Sequence, residues 1–137
     1  MPSSAKLACV APSMVADVWP LARALIKRAP DRTGLSDFDR TEREVLAGLQ
    51  LLWIAHDGER IEAAAVTKLV VRGDRRVCII AACGGDNRKR WVPLLAGIED
   101  YARAEGCSAV SFTGRRGWQR VLDGYALKFV IMEKGLS

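Results

Sequence analysis

Residues 77–83 read Val-Cys-Ile-Ile-Ala-Ala-Cys, an apolar run without alternation. A strand with one face in water alternates polar and apolar side chains; a strand covered on both faces does not. Val77–Cys83 therefore predicts the centre of a sheet with layers above and below it. Gly84-Gly85 closes the run and leads into Asp86, Asn87 and three cations, Arg88, Lys89 and Arg90.

The strands before this run are marked by their turns. Leu51–His56 and Ile61–Val71 flank Asp57-Gly58, a strong two-residue hairpin signal. Arg72-Gly73-Asp74 makes a second turn into Arg75–Cys83, and that reading takes precedence over an adhesion-receptor triplet. Upstream, Ser13–Arg28 places Met14, Val18, Leu21, Ala22, Leu25 and Ile26 on one helical face. Pro20 either kinks this helix or sits in the first turn of one that starts near Asp17. Pro30-Asp31 and Thr33-Gly34 break the pattern. Thr41-Glu42-Arg43-Glu44 then opens a second short helix as a capping box.

After the cations the helical period returns from Trp91 to Glu105, with Leu94, Leu95, Ile98, Tyr101 and Ala102 on one face. Pro93 suits its first turn, Glu99 and Arg103 form an i,i+4 pair, and Gly106 is a C-cap. Ala109–Thr113 is the next strand. A helix joins it to Val77–Cys83, so the two should run parallel. Gly114-Arg115-Arg116-Gly117 leads through a short helix, Trp118–Leu122, to Gly124-Tyr125 and a final strand, Leu127–Glu133. The order α-α-β-β-β-α-β-α-β describes a single α/β domain over residues 13–137 with a mixed sheet. Its central strand is 77–83 and its parallel partner 109–113; residues 1–12 form a tail or a first edge strand.

The chain has 137 residues, half of them hydrophobic and 27% charged, the balance of a protein with a real core. It lacks the charged-then-apolar order of a signal peptide and any run of about 18 apolar residues, which predicts a cytoplasmic protein with no membrane partner. Cys9, Cys78, Cys83 and Cys107 form no C-x-x-C pair, and His56 is the sole histidine, so no metal site is expected. The cysteines read as reduced, small hydrophobes. The odd spacing of Cys78 and Cys83 puts them on opposite faces of their strand. A net charge of +5 attracts anions, among which nucleotide, coenzyme, nucleic acid and acidic protein all qualify.

Two segments invite a binding role. Gly84-Gly85 before a helix reads either as a backbone cradle for phosphate or as a strand-exit turn. Arg115, Arg116, Trp118 and Arg120 read either as a base-stacking and phosphate-contacting patch or as a core tryptophan among solvated arginines.

The meander ending in Val77–Cys83, the glycine segment, the helix from Trp91 and the close GCSAVSFTGRRGWQRVLDGYALKFVIMEKGL together resemble the GNAT superfamily of acyl-CoA-dependent N-acetyltransferases. Gly124-Tyr125 stands where that family usually has Gly-Phe. The segments VWPLARALI, LLWIAHDGERIEAAAVTKL and GRRGW are most similar to small GNAT-like proteins carried by bacterial phages and prophages.

The resemblance implies acetyl-CoA as cosubstrate, with its diphosphate held by Gly84, Gly85, Asp86, Asn87, Arg88, Lys89 and Arg90. Its pantetheine would lie along Ala81, Ala82 and Cys83, with an amine as acceptor. The family's loop usually reads Gln/Arg-x-x-Gly-x-Gly/Ala. Here the glycines come early, and Lys89-Arg90 stand where small residues are expected. The tyrosine that many members place four residues before Gly-Phe is Arg120 in this chain. Tyr125 and Glu62 are the remaining acid and base candidates, with His56 a turn residue or a third. The other implied reading is a GNAT-fold phage accessory or structural module without catalysis, holding protein or nucleic acid on its basic face.

Overall fold

The computed structural model describes residues 5–33, 37–114 and 116–136, with the side chains of 29–33 and 116 outside that description. The elements are β1 (Lys6–Cys9), α1 (Val15–Thr33), α2 (Phe38–Leu46), β2 (Leu51–His56), β3 (Ile61–Arg72), β4 (Arg75–Gly85), α3 (Arg88–Trp91), α4 (Leu95–Ala104) and β5 (Ala109–Phe112). The five strands form one sheet in chain order. All neighbours are antiparallel except β4 and β5, which run parallel. The expected mixed sheet with 77–83 inside it is present, and the segment before α1 supplies an edge strand.

Both turns form as their residues dictate. The Asp57 carboxylate accepts from the N–H groups of Glu59 and Arg60, both at 2.9 Å, while Gly58 takes φ +101°. These bonds hold the Asp57 carboxyl below its usual range. Gly73 takes φ +64° between the paired Arg72 and Arg75.

The sheet separates two cores. On one face Trp19, Ala22 and Ile26 of α1 and Phe38 and Val45 of α2 pack on Leu52, Ala64, Val66 and Ala82. On the other, Trp91, Leu95, Ile98 and Ala102 pack on Trp53, Ala63, Ala65, Cys78, Ile80 and Cys83. Each large side chain so buried stabilises the fold by roughly 1.5–3 kcal/mol. β4 is covered on both sides, as its unbroken apolar run requires.

Several local expectations are corrected. α1 starts at Val15 and continues through Pro20 and Pro30 to Thr33, and its buried stripe leaves Met14 and Leu21 exposed. Asp37, not Thr41, caps α2, accepting from the N–H groups of Asp39 and Arg40; Thr41 lies inside the helix. The helix expected from Trp91 is split by a 3-10 turn at Val92–Leu94 around Pro93. Arg103 pairs with Asp100, not Glu99, at 2.8 Å. The helix expected at Trp118–Leu122 is a 3-10 turn over Arg116–Arg120. Leu127–Glu133 is no strand, and β5 ends the sheet.

The glycine pair is also reassigned. Gly84 and Gly85 belong to β4, paired with Ala64 and Ala63. A Cβ on Gly84 would lie 2.1 Å from the Leu25 carbonyl oxygen, and one on Gly85 would lie 2.5 Å from Ala63 Cβ. Glycine is needed because α1 and β3 come so close, and the turn itself starts at Asp86. Gly84→Ala should therefore lower stability by about 1–3 kcal/mol in denaturant titration, the cost typical of overpacking. Gly117→Ala, whose Cβ would meet nothing within 4 Å, should leave the midpoint unchanged.

Candidate functional site

A single extra residue opens a cleft in the sheet. Val66 pairs with Ala82 and Thr67 with Ile80, so Ala81 is a bulge on β4. The ladder between β4 and β5 stops at Ile80 and Phe112, just before that bulge. Beyond it β4 stays paired with β3 as far as Gly85, while the chain after Phe112 turns away. Bulges bend a strand and end pairing. The space between the parted strands is a cleft of about 370 Å³. Cys83–Gly85 line one wall and Phe112–Gly114 the other; Arg28, Asp86–Arg88, Trp91, Gly117 and Trp118 complete it.

Aromatic packing fixes both walls. Trp91 is buried and donates its indole N–H to the Asp86 carbonyl at 2.8 Å, pinning the turn after β4. Trp118 lies 5.9 Å from the Trp91 ring and 4.7 Å from that of Phe112. A Cβ on Gly114 would lie 2.7 Å from the Phe112 ring and 2.9 Å from Trp118, so glycine lets those rings close. The Arg88 guanidinium sits 5.5 Å above the Trp118 ring, within cation–π range.

The mouth carries charge of both signs. Arg28, on α1, pairs with Asp86 at 2.9 Å, an exposed bridge of little energetic weight. Asn87 is left-handed at φ 54° and turns the chain into α3. The Arg90 N–H closes back on the Asn87 carbonyl at 3.0 Å. First-turn N–H groups before it have no intrahelical acceptor.

The expected site residues are divided among different surroundings. Cys83–Arg88 line the cleft, whereas Ala82 packs against α1 on the opposite face. Lys89 is exposed outside the lining, and Arg90 turns to Glu62 at 2.8 Å. Glu62 is itself a bulge residue, skipped between Ala55–Ala63 and His56–Ile61. Its backbone oxygen accepts from the Asp86 N–H at 3.1 Å, so the Glu62–Arg90 pair adjoins the cleft. The Tyr125 hydroxyl donates to Glu99 at 2.9 Å; burial and that carboxylate raise its pKa well above the usual phenol range. His56 Nδ1 accepts from the Gly58 N–H at 3.1 Å, a turn contact. Of the arginine cluster, Arg115 lies outside the described residues, Arg120 is exposed, and Trp118 is a cleft wall. Arg28, Phe112 and Trp118 carry no local sequence signal for this role, because a helix end, a strand end and a turn meet only in the fold. No group of three metal-ligating side chains forms among the described residues.

The Ala81 bulge also corrects the cysteine faces. Cys78 and Cys83 both lie in the α4-side core, because the extra residue between them resets the alternation. None of the four cysteines is bonded to another.

Neither a protein-family model nor a curated protein matches the chain. Solved structures do. One is an aminoglycoside acetyltransferase from an uncultured soil metagenomic sample in complex with sisomicin. It is 10% identical, with 97% of this chain and 96% of that one covered at a TM-score of 0.70. Aminoglycoside N-acetyltransferase AAC(6')-Iy, in complex with CoA, is 16% identical over 98% and 97% of the two chains at 0.67. A GNAT family acetyltransferase from Staphylococcus aureus is 16% identical over 97% and 99% at 0.62. The likeness shows the fold: this chain has the mixed α/β architecture of the GNAT acetyltransferases.

Burial raises the Cys78 thiol to about 11 and the Cys83 thiol to about 12. A raised pKa keeps a thiol protonated and unreactive at neutral pH. Iodoacetamide at pH 8 should label exposed Cys9 well before Cys78 or Cys83, as peptide mass spectrometry would show.

Proposed function

We propose that this protein is an acyl-CoA-dependent N-acetyltransferase that binds acetyl-CoA in the cleft between β4 and β5. The observation that carries the reading is the parting of two parallel strands at the Ala81 bulge. Past it, the outer N–H and C=O groups of β4 face the cleft rather than another strand. An amide-bearing pantetheine chain would complete that ladder, and the narrow space between Cys83–Gly85 and Phe112–Gly114 suits it. At the mouth, Arg88 and the first-turn N–H groups of α3 would hold the diphosphate.

The bound cosubstrate supplies an activated thioester. The chain's part is to orient it and to manage protons. The acceptor nitrogen bonds to the acyl carbon, the carbon–sulfur bond breaks, and the proton lost by the amine balances the thiolate released. Cys83 lines the cleft but its pKa of about 12 leaves almost no thiolate, which favours direct transfer over an acyl-cysteine route. Glu62, re-aimed by its bulge and paired with Arg90, is the base we assign; it would act through water. Tyr125, bonded to Glu99, is assigned a structural part. Structural neighbours in complex with CoA and with an aminoglycoside support an amine acceptor.

A second reading keeps the fold without catalysis, with a protein or nucleic acid on the basic face. It is favoured by one observation: among the described residues, no glutamate, histidine or tyrosine lines the cleft.

Acetyl-CoA at ~100 times its dissociation constant should stabilise the fold by about 2.7 kcal/mol, raising the melting temperature roughly 6–15 °C. Arg88→Ala should weaken binding about tenfold, the loss of one charge-assisted contact. Glu62→Gln should keep the thermal shift and lose turnover of an amine. Absence of any shift at millimolar acetyl-CoA would remove the cleft as its site. A full shift without turnover across amine acceptors would favour the second reading.

A further inference from the structure

The acyl carbon of a cosubstrate lying in the cleft would reach its inner end, where the ladder between β4 and β5 stops at Ile80 and Phe112. An acceptor has two faces from which to approach that point. The α4 side is shut: Cys78 and Ile80 are fully buried there, and Val110 and Phe112 pack against the same core. On the α1 side the neighbouring pair is Ile79 and Ser111, and both are partly exposed. The core beneath α1 and α2 meets β4 at Ala82, past the bulge. An amine must therefore come over the α1 side.

Strand register sets what that amine meets. Lys68 stands opposite Ile79, Val70 opposite Val77 and Arg72 opposite Arg75, and alternation along each strand puts all six on the α1 side. Lys68, Val70 and Ile79 are partly exposed, and Arg72 and Arg75 are exposed. Three cations thus border an apolar floor. Among the described residues, none of the three forms an ion pair, although Asp74 lies in the turn between the two arginines. Glu44, whose charge Lys68 feels, is already bonded to Gln50 and Arg40. Arg72 also lies 5.6 Å from the centroid of the Phe129 ring. Like charges directly opposite on paired strands repel, and an anion between Arg72 and Arg75 would remove that repulsion. Sheet spacings put Lys68 about 5 Å from Ile79 and the arginine pair about 13 Å along the strand from it.

We propose that the acceptor is the free N-terminus of an acidic peptide. Its nitrogen would sit at Ile79 and Ser111, with carboxylates at Lys68 and between Arg72 and Arg75. An extended chain covers that distance in about four residues, whereas a single amino acid does not. A polycationic amine would be repelled by the same three groups. The assignment rests on the acyl-transfer reading of the cleft.

Calorimetric titration of the full chain, with and without saturating CoA, tests this. The probes are a hexapeptide with a free amine and glutamates at its second to fourth residues, and its glutamine and lysine counterparts. The glutamate peptide should bind most tightly and the lysine peptide least. Arg72→Gln combined with Arg75→Gln should weaken the glutamate peptide about five- to thirtyfold and leave the glutamine peptide unchanged. The melting temperature of that double variant should hold or rise, since a like-charge pair is gone, which shows that it folds. Lys6→Gln, on the far edge strand β1, also removes a positive charge and should change neither affinity. Thiol release from acetyl-CoA with the same peptides separates the two readings. The expected binding order without acetylation would uphold the basic face and count against acyl transfer; acetylation without that order would do the reverse. Equal affinities for the three peptides, or a double variant that binds like the parent chain, would overturn the proposal.

Discussion

Ala81 has no partner on β3, and the ladder between β4 and β5 ends immediately before it. Most of the site follows from that unpaired residue. It parts the strands, which makes the cleft. It resets the side-chain alternation, so that Ala82 serves the α1 core while Cys83 joins Cys78 and Ile80 under α4. It leaves β4 held by β3 alone just where the chain must turn into α3. A second bulge, at Glu62 near the start of β3, lies beside the end of β4 and directs a carboxylate to Arg90. Two unpaired residues thus shape one end of a sheet whose other end is an ordinary hairpin.

The charges are arranged with more order than a net +5 suggests. The cations next to the cleft have been given separate duties. Arg90 is drawn to Glu62, Arg28 to Asp86, and Arg88 lies over the Trp118 ring. Lys89 faces solvent. Runs of basic residues are easily taken as one electrostatic unit, but an α3 of four residues points them in different directions. The field at the cleft is accordingly that of a few placed groups.

Much of the fold was legible because its signals are local. Asp57-Gly58 and Gly73-Asp74 each determine a turn within a few residues, and the unbroken apolarity of Val77–Cys83 reports burial on both faces. The helix between β4 and β5 dictates their parallel direction. What stayed hidden is tertiary. Gly84 and Gly85 look like turn residues, yet their lack of a side chain answers to Leu25 and Ala63, distant in sequence. A bulge at Ala81 adds a residue without altering composition, so the parity of Cys78 and Cys83 was misjudged. Asp37 competes with Thr41 for the α2 cap and wins because it precedes the first turn. Leu127–Glu133 has the residues of a strand, but residue type cannot supply the neighbour that a strand needs. Of the cleft lining, Cys83 to Arg88 fall within the expected 81–90 segment, while Ala81, Ala82, Lys89 and Arg90 do not line it; Arg28, Phe112 and Trp118 were not readable as lining, since three separate elements deliver them.

The contact between Gly84 and Leu25 has a mechanical consequence. With no side chain between them, the α1 backbone rests directly on β4, and Arg28 one turn later is tied to Asp86. The helix, the strand and the turn after it form one stiff jaw. The opposing wall is built otherwise: β5 has four residues, a single ladder, and a 3-10 turn held by tilted, packed rings. Any opening or narrowing of the cleft must therefore come from the Phe112–Trp118 side. A ligand entering it would find one surface already set and would do its shaping on the other.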